Sequence, residues 1–534
     1  MYVQEIRTYQ RGKVYRSVLV RQSYRVGKQV KTKILANLTR LPGEVQELIR
    51  RSLRGEKLLP LGDLRIQEAR DYGGLAVLEE VWKRWGLDQV LSAMGSERKQ
   101  RLLKTLVFGR ILFPSSRLAL EEVASQTALA QVCGLEPKDL EKEELAAAVD
   151  GLTGVWSQIE RKLCQATPTQ ETSFFLFRWS SSSRTGEEAG KATGGTFSHD
   201  DPLGPPKTLL AIATNAQGIP IHIEVLRAHR GDKTTLHGLL VTLQRRFGIE
   251  KTTFVFDRDR NNRWKREGFP SYVTRASRAK LQKLLHELQQ KRALWLADRK
   301  QAREIFDGGV RYVLAWAEWQ QEQDRRRRYN AITSIEEVLR QAARTFRKNG
   351  ESLASARNRI ARELGCLPVK KHFRLGIDRQ GRFSWKLDQE RVREEKTMDG
   401  WYLLETDLPQ AQASAEEVLT RYYRLIHLQA LFSELANDPH VDTSDPSRPD
   451  QVRNQMRIAF LALRLTARLQ AEWISLGLKQ DVLPFLRCLQ AIRLIQLTCK
   501  EKPLVHILSP IPSEWTELLE KAGLFGPFAP FFPE

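Results

Sequence analysis

The chain has 534 residues, with 86 Lys and Arg against 64 Asp and Glu and a formal net charge of +22. A hydrophobic share of 41% argues against bulk disorder, and the length suits about three or four domains. The cationic excess points to a polyanionic partner, nucleic acid before membrane, with a merely solvated basic surface as the alternative. Cys133, Cys164, Cys366, Cys488 and Cys499 show no CxxC spacing, which argues against a zinc centre and fits a reducing cytoplasm better than secretion. Glu5 and Arg7 stand where a signal peptide would place its apolar stretch, so none is expected.

Residues 1–60 hold 14 Lys and Arg against 4 Asp and Glu and read as a basic β-rich module. Val14 to Val20 and Val30 to Leu35 read as strands joined by the turn Arg25-Val26-Gly27-Lys28. A ribbon carrying Lys28, Lys31 and Lys33 suits a phosphate backbone. It suits equally a solvated edge hairpin that uses its cations against aggregation. Residues 61–168 read as a helical domain. Leu75, Leu78, Val81, Trp82 and Trp85 recur on one helical face, and Leu102, Leu103, Leu106, Val107 and Ile111 on another. Ser116 is a candidate cap for a helix from Leu118 to Ala128, and Leu145 to Leu163 is one helix or a pair.

Residues 169–260 change period. The apolar runs Phe174–Phe177 and Thr208–Ala213 read as strands. After the turn Asn215–Gly218, the residues Ile219, Ile221, Ile223 and Val225 alternate with Pro220, His222 and Glu224, completing a hairpin. Leu236, Leu239, Leu240, Leu243 and Phe247 have helical spacing, and Phe254–Phe256 is a further strand ending at Asp257. Three strands, a helix and a strand make the first half of a ribonuclease-H-like mixed sheet with flanking helices, an α/β fold with its first and fourth strands side by side.

Residues 261–410 are more than such a sheet needs and read as an inserted α+β domain. Leu281–Leu288 and Ile335–Phe346 are its helices. Tyr312–Ala315, Phe373–Ile377, Phe383–Leu387 and Trp401–Leu404 are its strands. Arg325, Arg326, Arg327 and Arg328 form a run that suits phosphate contacts, although such runs are commonly just solvated. Residues 411–500 read as the second, helical half of the core, with helices over 413–436, Val452–Leu478 and Val482–Leu497. Arg464 and Arg468 exclude a membrane span in the second of these. Residues 501–534 form a tail with four Phe after Leu524 that either docks or lies loose. No P-loop, GxGxxG, HExxH or GxSxG pattern is present.

Read together, these blocks resemble bacterial insertion-sequence transposases of the DDE type. LFRWSSSSRTG, from Leu176 to Gly186, resembles that family's LYDxTSSYFEG strand. TFSHDD from Thr196, NAQGIPI, EVLRAHRGDKTTL and RRFGIEKTTFVFDRD follow in the family's order. Lys371-His372-Phe373, MDGWYLLETDL from Met398 and SAEEVLTRYY from Ser414 resemble its later blocks, so the likeness spans about residues 70 to 475. The resemblance implies duplex DNA, and transposon ends in particular, as partner. It also implies a homodimer and a magnesium-dependent site of two Asp and one Glu. Matched residue by residue, the first Asp falls on Arg178, the second is retained as Asp257, and the Glu falls on Gln429. Hard divalent cations need anionic oxygens, so magnesium is not expected to bind productively and catalysis is expected to be impaired. The alternative is a non-enzymatic DNA-binding regulator domesticated from a transposase.

Overall fold

A computed structural model describes residues 1–10, 13–56, 61–114, 120–166, 171–179, 208–226, 251–256, 271–290, 302–349, 372–377, 383–436, 449–499 and 502–531, with a few isolated positions besides. The fold is mixed α/β, and the described strands form four sheets.

The chain opens with three antiparallel strands, β1 (Tyr2–Gln10), β2 (Lys13–Val26) and β3 (Gln29–Asn37). The expected turn between β2 and β3 holds: Gly27 has φ 61°, which a side chain would disfavour. The sequence reading missed β1, whose alternation is blurred by Gln4, Glu5 and Arg7. The helix Gly43–Leu53 closes a small core in which Val18, Val20 and Leu38 are buried against Val3, Ile49 and Leu53. Gln46 ties this helix to the sheet by donating to the Leu38 and Leu41 carbonyls at 3.0 and 2.8 Å.

After β4 (Leu64–Asp71), the helix Gly73–Arg84 begins with two glycines because another segment passes directly over them. A Cβ at Gly73 would meet the Leu489 carbonyl oxygen at 2.3 Å, and one at Gly74 the Leu486 oxygen at 2.5 Å. Leu75, Leu78, Val81 and Trp82 are buried as their spacing requires, with Trp85 partly buried beside them. The helix Glu97–Leu112 buries Leu102, Leu103, Val107 and Ile111, and Leu145–Leu163 resolves into the pair Lys142–Asp150 and Leu152–Gln165. Ser116 lies outside the described residues.

The large sheet follows. It contains β5 (Glu171–Trp179), β6 (Thr208–Thr214), β7 (Pro220–Leu226), β8 (Lys251–Phe256), β9 (Tyr272–Arg275), β10 (Arg303–Asp307) and β11 (Val310–Trp316). A separate hairpin, β12 (Phe373–Ile377) and β13 (Phe383–Leu387), precedes its last member, β14 (Trp401–Thr406). The strand order is β10-β11-β14-β9-β8-β5-β6-β7. β5 runs parallel to β8, Phe174 opposite Phe254, and β8 runs parallel to β9; the other pairings are antiparallel. The Asn215–Gly218 turn is built as its residues suggest. Asn215 Oδ1 accepts from the Gln217 and Ile219 amides at 3.1 and 2.9 Å, and Gly218 takes φ 86°. Most of the helix read over Leu236–Phe247 lies outside the described residues.

Within residues 261–410, β9, β10, β11 and β14 extend the same sheet, and the sequence reading lacked β9 and β10. The β12–β13 hairpin instead packs on the 32-residue helix Glu318–Asn349, with Ile335, Leu339, Ala342, Phe373 and Phe383 buried between them.

The helices Ala415–Ala436 and Pro449–Ser475 agree with the sequence reading. The helix expected over Val482–Leu497 does not. It stops at Cys488, and β15 (Arg493–Cys499) and β16 (Lys502–Leu508) follow, with β15 between β4 and β16. The apolar residues of 492–497 fit either period, and the ladder offered by β4, remote in sequence, decides for strand. The tail docks: after the helix Ser513–Lys521, Leu524 and Phe528 are fully buried, and Tyr72 meets the Phe528 and Phe531 rings edge-on at 6.3 and 6.2 Å. One continuous apolar core joins the helices of 73–165 to the sheet and to the helices of 415–488.

Candidate functional site

Three sequence positions were expected to converge. β5 carries Arg178, paired in register with Leu209 of β6, and its last partner on β8 is Leu176 with Phe256. The C-terminal ends of β5 and β8 are therefore neighbours at one end of the strands, in the middle of the sheet. The side chain of Arg178, and Asp257 altogether, lie outside the described residues. Gln429 is half-buried on the helix Ala415–Ala436, between buried Leu428 and Phe432. That helix packs across β5, β8 and β9.

Two arginines fasten it there: Arg421 Nη1 donates to Thr253 Oγ1 at 2.6 Å, and Arg424 Nη1 to the Ala216 carbonyl at 2.7 Å. Burial, reinforced by the nearby Arg421 charge, holds the Arg424 guanidinium below its usual range. The sequence reading named neither arginine, since their targets are more than 160 residues away in sequence. No group of three His, Cys, Asp or Glu side chains arranged to hold a metal occurs among the described residues.

The arginine run is divided by its helix. Arg325 is exposed, Arg326 pairs with Glu322 at 2.9 Å and Arg327 donates to Gln323 at 3.1 Å. Arg328 points inward and forms a fork with Asp399 at 2.7 and 2.5 Å. Asp399 holds the Arg328 guanidinium above its ordinary range. Successive residues on a helix differ by about 100°, so four in a row cannot share a face. Asp324, one turn earlier, is buried too and accepts from Gln320 and from the Gly400 amide.

Lys28, Lys31 and Lys33 are all exposed. Lys31 stands opposite Tyr24 and Lys33 opposite Gln22. Among the described residues, Arg25, Lys28, Lys31 and Lys33 have no acidic partner within ion-pair distance, and residues 21–37 contain no Asp or Glu. A second polar feature had no sequence signal, because three segments build it. A cleft of about 190 Å³ is lined by Trp156, Glu160, His222, Glu224, Arg453 and Arg457 among others. His222 Nδ1 lies 2.7 Å from Glu160 Oε1 at its floor, and the Arg457 guanidinium stacks 5.2 Å over Trp156.

The basic N-terminal sheet is also where the chain is similar to known proteins. Residues 3–59 match the IS1634 family transposase, N-terminal domain. The match supports an insertion-sequence transposase. It covers β1, β2, β3 and the helix Gly43–Leu53 and stops short of the large sheet. No curated protein gives a significant match to the chain. Among the described residues, no helix is long and apolar enough to cross a membrane.

Proposed function

We propose that this chain is a transposase-like protein of an insertion sequence, with a ribonuclease-H-like core, that binds duplex DNA and is impaired in strand transfer. The match over residues 3–59 carries the first part of the reading. The core assignment is supported by the parallel pairing of β5 with β8, the first and fourth strands, under the helix that bears Gln429. The DNA reading is supported by the +22 charge and by exposed cations on β3 and its turn that have no acidic partner among the described residues. The partner is duplex DNA, transposon ends in particular, engaged by a homodimer in the cytoplasm.

The impairment follows from donor chemistry. A site for magnesium in the DDE manner gathers carboxylates, and the matched positions offer Arg178, Asp257 and Gln429. A guanidinium repels a cation and a neutral amide is a weak ligand, so this set does not suit a hard divalent ion. Arg325 and Arg326 remain candidate phosphate contacts; Arg328 is engaged with Asp399.

The reading is tested by titrating salt against a labelled duplex and by incubating the protein with duplexes and magnesium or manganese. Binding that weakens steeply with salt, and no nicking, are expected. Absence of binding at about 50 mM salt would sink the DNA reading. Metal-dependent cleavage abolished by Asp257→Ala would overturn the impairment.

A further inference from the structure

β1 pairs with β2 only as far as Arg21, while β2 and β3 continue together to Val26 and Gln29. The last five residues of β2, Gln22 to Val26, their partners on β3 and the Gly27-Lys28 turn therefore project beyond the three-stranded sheet as a two-stranded arm. At about 3.4 Å per residue the arm is roughly 17 Å long.

Opposite residues in an antiparallel pair share a face, so the register sorts the arm's side chains. Gln22, Tyr24, Val26, Gln29, Lys31 and Lys33 lie on one face. Ser23, Arg25, Val30 and Thr32 lie on the other. Lys28 occupies the tip. Both faces and the tip are cationic, and no acid interrupts them. A sheet lying flat on a phosphate backbone needs cations on one face only. A ribbon sunk in a groove meets a wall of phosphates on each side.

The arm is not a plain solvated edge either. Tyr24, Val26 and Val30 are 45%, 52% and 64% exposed on it. Lysines that guard an edge against aggregation do not require apolar neighbours. Apolar side chains between cations suit base edges and thymine methyl groups, and the major groove, about 12 Å wide, admits a two-stranded ribbon.

We propose that the β2–β3 arm inserts into the major groove of duplex DNA. Lys31 and Lys33 face the phosphates of one wall, Arg25 those of the other, and the residues beside the tip reach base edges. The inference rests on the DNA-binding reading above and adds where and how the duplex is held.

The test uses the full chain and a labelled duplex, with salt-dependent affinity measured for Lys31→Ala/Lys33→Ala on one face and Arg25→Ala on the other. These side chains are exposed, so circular dichroism should report an unchanged fold. Each neutralised phosphate contributes about 0.9 to the slope of log affinity against log salt. The double variant should lower the slope by about 2 and Arg25→Ala by about 1. Methyl green, a major-groove ligand, should displace the protein, and netropsin, a minor-groove ligand, should not. Loss on one face only, or displacement by netropsin alone, overturns insertion in the major groove. Unchanged slopes in every arm variant, with the full chain still binding, overturn the arm and leave the DNA reading standing. No duplex binding by the unaltered chain removes both.

Discussion

Truncating Arg328 should break the fold locally rather than weaken a DNA contact. Its side chain is 8% exposed and that of Asp399 3%, and the two share a two-bond fork. Arg328→Ala leaves the Asp399 carboxylate buried without its cation, which typically costs about 3–5 kcal/mol. A second route agrees: two unit charges about 4 Å apart at an effective dielectric of about 20 attract by about 4 kcal/mol. The loss should centre on the helix Glu318–Asn349 and the Met398–Trp401 segment that the pair joins. Amide hydrogen exchange is the suitable assay, because a chain of 534 residues need not unfold in one step. Exchange there should accelerate about a hundredfold or more, since each 1.36 kcal/mol is about a factor of ten. Arg328→Met with Asp399→Leu should recover most of the protection, because apolar replacement of a buried pair is often neutral. Native-like exchange in Arg328→Ala, with duplex affinity falling as far as in Arg325→Ala, would refute this account.

Gly400→Ala should destabilise by about 2–4 kcal/mol, combining left-handed strain at φ 85° with a Cβ placed 2.3 Å from Trp316 Nε1. Gly308→Ala, at φ 60° with open space around it, should lose only about 1 kcal/mol, and equal melting shifts for the two would contradict the steric part. Burial pushes the Cys133 and Cys164 thiols up to about 12, so at pH 8 iodoacetamide should label exposed Cys488 well before either; mass spectrometry showing equal rates in the native state would contradict this. Because those folded values lie above the ordinary thiol value of 9.0, their contribution to stability is fully present below about pH 9 and is lost as pH rises towards about 12.

Local signals carried most of the elements. The strands of the large sheet from Phe174 to Phe256 were legible because continuous apolar runs marked β5, β6 and β8, and an Asx turn followed by period-two alternation marked β7. The long helices at 415–436 and 449–475 were likewise legible from local pattern. The misreadings fall where a distant partner decides. Residues 493–497 form β15 because β4, more than 400 residues earlier, supplies its ladder. β9 has only four residues and too little pattern to announce itself. Arg328 looked like its neighbours in the sequence because Asp399, its partner, is 71 residues away.

The two candidate sites differ in legibility for a related reason. Charge needs no tertiary context: the acid-free stretch of 21–37 is visible in the sequence, and only its division into two cationic faces and a projecting tip required the register of β2 with β3. The strand-end site depends on three segments meeting. The order of three strands, a helix and a strand suggested β5 beside β8, and the parallel register bears that neighbourhood out. The identity of the matched positions then argues against the metal chemistry that the topology would permit. Arg178 follows Phe177 on a strand whose preceding residues Phe174 and Phe175 are fully buried, and Gln429 sits half-buried between Leu428 and Phe432. Neither residue supplies the negative charge that a divalent cation requires. A chain with this strand order can keep its core and its basic arm without that charge. On the proposed reading, DNA affinity and strand transfer are separable, with affinity resting on the exposed cations of the arm and strand transfer on carboxylates that positions 178 and 429 do not provide.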